Sequence, residues 1–503
     1  MAGICFSECV GEKSYRPWLP RQSYLLPPSP LEWLPPKHLA YFVLDVVEQL
    51  NLGEIEDSIQ GKDHRGERPY AVGMMTALLV YGYCVGMYSS RRIARATHED
   101  VAFRVISGEE HPHFTTINQF RLDHGEALGR LFVEVLRLCE AAGLVKLGTV
   151  ALDGTKIKAA ASKHKAMSYK RINEEEKRLQ DQVTELLRRA AQADREEDEL
   201  YGRGQDREDL PEELARRETR LQRLREAKAA LEKEAAEGRA LELREQAQKQ
   251  EQRVNNPFLP AHERKRSGTR AAKARKQADA VAPEKPTDKD RQQPELPLHR
   301  VASEVDGKPK AAAQRNFTDP QSCIMVKDGA YIQAYNAQII VDAAHQVIIA
   351  HGVSNQSPDQ EYLVPMIERI GSAENPKVLL ADNGYFTAAN VQALQSCGIE
   401  PLIAVGRNEA PPEGTAPAST THAFEKEMMR QKLVTPEGRA IYSRRKVIVE
   451  PVFGQIEQGR GFRRFSQRGQ QKVRREWALI CLTHNLLKLF RHLTAPQPAR
   501  TPA

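Results

Sequence analysis

Three acidic residues far apart in the chain carry its most informative chemistry. Asp153 closes the apolar run of Thr149-Val-Ala-Leu-Asp-Gly-Thr-Lys156, and Asp382 closes another, Val378-Leu-Leu-Ala-Asp-Asn-Gly-Tyr385. Glu450 lies inside the basic amphipathic stretch Arg444-Arg-Lys-Val-Ile-Val-Glu-Pro-Val-Phe-Gly454. A carboxylate at the C-terminal end of a strand projects from the sheet edge, and a helical carboxylate laid across that edge can meet it. Acids so gathered hold divalent cations against a phosphodiester. Singly, each has a plainer reading, because Asp before Gly or Asn-Gly is good turn chemistry and a glutamate solubilises a helix.

The elements that must position these acids are legible in part. His38 to Leu50 has helical periodicity, and Ala71 to Tyr88 is nearly uncharged. Three glycines and three tyrosines punctuate the latter stretch, which favours a buried helix or helix pair over a membrane span. Ser89 to Arg95 and Thr115 to His124 look like two short helices with hydroxyl caps, in the manner of a helix-turn-helix. Thr115, Asn118, Gln119 and Arg121 would be its outward polar set. A longer amphipathic helix, Glu126 to Ala142, then leads into the first strand.

From Tyr169 to Arg253 the chain is rich in Glu, Arg, Lys, Gln, Leu and Ala. Leu179, Val183, Leu186 and Leu187 form one stripe, and Leu214, Leu221, Leu224 and Leu231 another, with Gly202, Gly204 and Pro211 between them. That pattern predicts an antiparallel coiled-coil hairpin. Asn255 to Arg315 is Pro-rich and basic, and reads as a flexible linker whose Arg264-Lys-Arg266 and Lys273-Ala-Arg-Lys276 clusters are either phosphate grips or solvated charge. Beyond Asp319-Pro320 come a strand at Tyr335–Val341, a turn at Asp342–His345 and a hairpin partner at Gln346–Gly352. A helix follows at Glu361–Ile370, then a strand at Lys377–Leu380, a Thr-capped helix at Thr387–Ser396 and a strand at Glu400–Val405. This order describes a mixed sheet with helices packed on it, an α/β arrangement typical of a ribonuclease H-like core.

Composition sets bounds. With 503 residues and 40% hydrophobic content the chain can fill two to four domains. Net charge is only +7, yet Arg439 to Arg475 carries eleven Lys/Arg against two Glu, which suits a polyanion or a solvated basic face. Seven widely spaced cysteines read as reduced thiols; Cys5 and Cys9 lack the second pair that a zinc site needs. His345 and His351 likewise lack zinc spacing. Met1 to Trp18 has no signal-peptide pattern.

Four motifs in order resemble bacterial insertion-sequence transposases of the DDE type. They are Leu152-Asp-Gly-Thr-Lys156, then Thr318-Asp-Pro320 through Tyr335-Asn-Ala-Gln338, then Ala381-Asp-Asn-Gly-Tyr385, and finally Glu450-Pro-Val-Phe-Gly-Gln455 followed by Gly461-Phe-Arg-Arg464. The resemblance covers about residues 38–165 and 315–490 and leaves the insertion outside. After an irregular Pro-rich segment at 1–36, it implies a helical DNA-binding domain at 37–145 and a catalytic core at 146–168 and 316–490. The core is interrupted by a coiled-coil hairpin at 169–254 and a basic linker at 255–315, with a disordered tail at 491–503.

The same resemblance implies a catalytic and metal-binding triad of Asp153, Asp382 and Glu450 holding two Mg2+ ions, for which Mn2+ can substitute. The reaction expected is hydrolytic nicking at the element ends, then joining of the freed 3′-hydroxyl to target DNA. The implied partners are double-stranded DNA, both terminal inverted repeats and target, and further copies of the chain in a dimer or higher paired-end complex. No membrane is implied, and the expected location is the bacterial cytoplasm, at the nucleoid. A relic or repressor that binds DNA without cleaving it is the alternative.

In the family's last motif a tyrosine, an arginine, the glutamate and a lysine share one helix. Tyr442, Arg445 and Lys446 stand near the first positions, but the spacing to Glu450 is one residue long, and Glu457 replaces the lysine. Arg460, Arg463 and Arg464 are candidates for the missing DNA contact. Tyr385 and Phe386 would either stack on an unpaired base or pack beneath the strand end.

Overall fold

The computed structural model describes residues 32–61, 68–201, 212–282, 296–370, 374–406 and 420–495. Most of the N-terminal segment, with Cys5 and Cys9, lies outside them, as do the turn residues Gly202, Gly204 and Pro211 and the tail from 496.

Among the described residues seven helices come first: α1 (Leu39–Gln49), α2 (Gly53–Gln60), α3 (Val72–Cys84), α4 (Ser90–Glu99), α5 (Val101–Ser107), α6 (Phe114–Asp123) and α7 (Gly125–Ala141). The uncharged stretch forms α3, whose residues Met75 to Cys84 are all buried, and no helix among the described residues is long and apolar enough to cross a membrane. The Thr115 cap is not seen; His113 takes the N-cap, its ring accepting from the Thr115 amide.

Strand β1 (Thr149–Lys158) follows, then the short β2 (Ala166–Ser168). The insertion consists of α8 (Tyr169–Tyr201), α9 (Glu212–Val254) and α10 (Ala261–Val281), after which β3 (Gln314–Asn316) pairs back onto β2. Helix α9, about 64 Å long at 1.5 Å per residue, pairs its first half with α8 and its second half with α10. Ile172, Leu179, Leu221, Leu224 and Leu231 bury the first contact, whereas Leu187 stays exposed. The hairpin therefore occupies only the first half of α9. The basic stretch read as a flexible linker instead forms α10 over much of its length, because Ser267, Ala271 and Ala278 are small enough to seat it against α9.

The remaining elements are β4 (Cys323–Lys327), β5 (Ala330–Asp342), β6 (Ile348–Ser354), α11 (Leu363–Ile367), β7 (Val378–Ala381), α12 (Ala388–Ser396), β8 (Glu400–Ile403), α13 (Thr420–Val434), α14 (Pro436–Gly454) and α15 (Gln470–Thr494). They build one six-stranded mixed sheet. Its path runs β6-β5-β1-β7-β8, with β4 pairing the first part of β5; β5 is antiparallel to β1, β4 and β6, and β1, β7 and β8 are parallel. Helix α15 extends to Thr494, further than the tail boundary expected at 491. It packs on α3, α7 and β6, so the N-terminal helices and the sheet share one apolar core from Ala40 to Leu489.

Candidate active site

Strand register sets the two aspartates side by side. Parallel pairing aligns Ala151 of β1 with Leu380 of β7, and two residues further along each strand stand Asp153 and Asp382. Asp153 is not at a strand end, since β1 continues to Lys158; β7 is the strand that stops, and its departure opens the β1 edge at Asp153. Asp382 turns the chain into a short 3-10 turn, its carboxylate accepting from the Gly384 amide at 2.9 Å.

Asp153 Oδ1 accepts from the Gly154 amide at 2.9 Å, and Oδ2 accepts from Arg445 Nη1 at 3.0 Å. Burial pushes the Asp153 carboxyl above its ordinary value; Arg445 and the Gly154 amide pull it back, and the neighbouring Asp382 charge pushes it up again. Two carboxylates held close together and partly out of water call for a cation. Here Arg445 supplies that charge, and the Tyr442 hydroxyl beside it donates to the Ala381 carbonyl at 3.4 Å.

On the opposite face of β1 lies a polar network that the sequence reading did not assign. Asp359 accepts from Asn336 at 2.7 Å, from Gln338 at 3.0 Å and from Lys156 at 3.1 Å. Buried Tyr385 donates its hydroxyl to Gln338, and burial, with Asp359, Asp153 and Asp382 nearby, holds that phenol far above its usual range. This network explains Gly154, because a Cβ there would meet Gln338 Nε2 at 2.1 Å. It also settles Tyr385 and Phe386, which are 1% and 7% exposed and pack under the strand end instead of offering a base-stacking surface. The Tyr335-Asn-Ala-Gln338 run was the available signal, but Asp359, in a loop, had none.

Glu450 does not join the aspartates. At 3.6 residues per turn it is rotated about 140° from Arg445, and it is exposed with no hydrogen-bond or ion-pair partner among the described residues. The inward face of α14 carries Ile448, Val449 and Val452. Among the described residues no group of three His, Cys, Asp or Glu is placed to hold a metal ion. His351 is half-buried edge-on against Phe132, with desolvation driving its pKa down to about 3, and His345 lies near His492.

The candidate DNA contacts divide sharply. Thr115 is exposed and Asn118 half-buried, but Arg121 turns inward to the Tyr83 hydroxyl (3.1 Å), the Tyr88 carbonyl (3.0 Å) and Asn118 (2.8 Å). Arg460 is also internal: it donates to Thr483 Oγ1 at 2.7 Å and to the Ile480 carbonyl at 3.2 Å, and burial lowers its pKa. Both were expected at a DNA surface and both instead tie the N-terminal helices and α15 to their neighbours. Lys446 and Arg464 are exposed, and Arg463 is exposed while bonding to Gln458 and the Glu457 carbonyl. The cation that meets Glu457 comes from β4: Lys327 Nζ lies 2.7 Å from Glu457 Oε2, and Glu457 Oε1 accepts from Thr155 at 2.8 Å. Thr155 stands two residues beyond Asp153, on the same face of β1.

Residues 29–123 match the family described as Transposase domain (DUF772), and residues 306–486 match the Transposase DDE domain. Asp382 and Glu450 fall inside the second match, while Asp153 enters from β1, between the two. Comparison with curated proteins and with solved structures returned no match. Both matches are to transposase domains and stand in sequence order, which is consistent with a DDE transposase of an insertion sequence.

Proposed function

We propose that this transposase binds the terminal inverted repeats of its insertion sequence, cleaves DNA there and transfers the freed end to target DNA at a site built on Asp153 and Asp382. The observation that carries the reading is the in-register placement of these two aspartates on parallel β1 and β7. The strand path, with the single antiparallel strand β5 between β6 and β1, supports a ribonuclease H-like core. Transposases act on DNA, and this family generally uses divalent metal ions.

Two half-buried carboxylates side by side, one of them neutralised by a guanidinium, fit a dication in chemistry and charge. Asp153 and Asp382 would hold it, with Mg2+ the expected ion and Mn2+ a substitute. Bound there, such ions would lower the pKa of an attacking water or 3′-hydroxyl and stabilise the leaving oxygen. Arg445 must then release Asp153. Glu450, free and solvent-facing on the same helix, is the proposed third ligand, brought in as α14 readjusts on DNA. A paired-end dimer or higher oligomer, acting at the nucleoid in the cytoplasm, completes the reading.

The exposed Glu450 and the acid at 457 favour a second reading, a chain that binds DNA without cleaving it. Magnesium-dependent cleavage of labelled element ends separates the two. We expect cleavage by the native chain and its loss in Asp382→Asn. Binding without any cleavage would establish the second reading, and cleavage that survives the substitution would remove Asp382 from the site.

A further inference from the structure

Charge on the insertion is arranged in two different ways. Along α8 and the first half of α9, cations are matched to acids: Arg178 and Arg220 to Glu175, Arg225 and Lys228 to Glu176, Arg188 and Arg189 to Glu185. That is the pattern of a solvated helix pair.

Helix α10 breaks it. Its two acids are both spent on α9, Asp279 against Arg244 at 3.0 Å and Glu263 against Arg253 at 3.6 Å, and Arg275 is paired to Glu251 at 2.8 Å. Lys265, Arg266, Arg270, Lys273 and Lys276 are all exposed and have no acidic partner among the described residues. Arg266, Arg270, Lys273 and Lys276 recur at intervals of four and three with Lys265 beside the first, so they form one stripe about 16 Å long. The buried residues on the side turned to α9 are small, Ser267, Ala271 and Ala278, which fixes which face is free. Lys249 of α9 adds to the stripe across a shallow groove that Arg270 and Lys273 also line.

The stripe also has firm support. The middle of α9 is anchored to the rest of the molecule by Tyr169 to Glu232 at 2.6 Å, Arg315 to Glu234 at 2.7 Å and Arg300 to Glu245 at 2.9 Å. A rigid helix offering a row of unpaired cations, its two acids both paired to arginines of α9, matches the phosphate backbone of a duplex, which it would grip without reading its sequence. We propose that the exposed face of α10 is a duplex-DNA backbone contact outside the candidate active site, holding DNA by its phosphates alone. This inference rests on the transposase reading above, and it assigns the insertion a DNA-holding role.

The test is the salt dependence of duplex binding by the full-length protein. In a K265A/R270A/K273A variant each lost phosphate contact removes about 0.9 from the slope of log K against log salt, so the slope should flatten by about 2.7. Affinity should fall by the same factor for terminal-repeat and unrelated duplexes. Alanine favours helix, so circular dichroism should show α10 retained. A paired-charge control, R178A/R225A, should leave the slope unchanged. An unchanged slope in the α10 variant, or a loss confined to terminal repeats, overturns the proposal while leaving the transposase reading standing. Failure of the native chain to bind either duplex overturns both.

Discussion

The acids borne by strands and the acid borne by a helix behave differently. Asp153 and Asp382 are fixed by the hydrogen-bonded register of β1 and β7, where a side chain has two faces to choose from and the apolar residues before it make the choice. Glu450 rides α14, where each residue turns the side chain by about 100°. One extra residue between Arg445 and Glu450 is therefore enough to take a carboxylate off the site face, and Val449 occupies the inward position instead. Strand geometry tolerates distant sequence changes; helix phase does not.

The largest effects should fall on the strand-borne pair. Removing one metal-holding carboxylate forfeits several kcal/mol of transition-state stabilisation, so Asp153→Asn and Asp382→Asn should each lower cleavage by about 10³-fold. Glu450→Gln should cost less, about 10²-fold, because its ligation requires readjustment of α14. Measured single-turnover rates would order the three. An equal loss for Glu450→Gln would mean that the helix acid is as firmly placed as the strand acids, and no loss would remove it from the site.

Arg445 is the next test. Its removal leaves two carboxylates uncompensated in a mostly buried site, and breaking such a pair costs about 3 kcal/mol in the absence of metal. Thermal denaturation of Arg445→Ala should show that loss. Added Mg2+ should raise its melting temperature more than that of the native chain, since the ion then meets no competing guanidinium. Equal Mg2+ responses would separate Arg445 from the ion site.

Asp153 supplies a pH signature of smaller size. Its pKa is raised in the folded chain, so the folded state binds more protons than the unfolded state between the ordinary aspartate value and the raised one. Stability from this group is fully present below that window and is lost as pH rises through it. Asp153→Asn should abolish the loss and match or exceed native stability at neutral pH, by about 1 kcal/mol, while activity disappears. Denaturant melts across the acid range would reveal a wrong sign.

Much of this arrangement was legible in the sequence, and the failures have physical reasons. Apolar runs ending at Asp153 and Asp382 announce neighbouring strands because a buried parallel strand has little alternative composition. The matched domains and the helical plus mixed-sheet character agree with that reading. Arg121 and Arg460 were misplaced because an arginine in the sequence gives no hint that two or three polar groups await it inside. Helix α10 was missed because its contact face is built from Ser and Ala, which leave no hydrophobic period. Asp359 was missed because its partners, Asn336, Gln338 and Lys156, come together only through the pairing of β1 with β5.

The smallest effect sharpens the helix side of the contrast. Glu457 stands where the motif resemblance implies a lysine, and Lys327 meets it directly at 2.7 Å while Thr155 bonds to both. If the pair is a charge exchange between α14's continuation and β4, Glu457→Lys alone sets two cations against each other and should destabilise by about 1 kcal/mol. The double change Lys327→Glu with Glu457→Lys should recover most of that loss, a coupling readable in a double-mutant cycle. Additive losses would mean that the two side chains are neighbours without being partners, and the replacement of the motif lysine would then need another explanation than the cation supplied from β4.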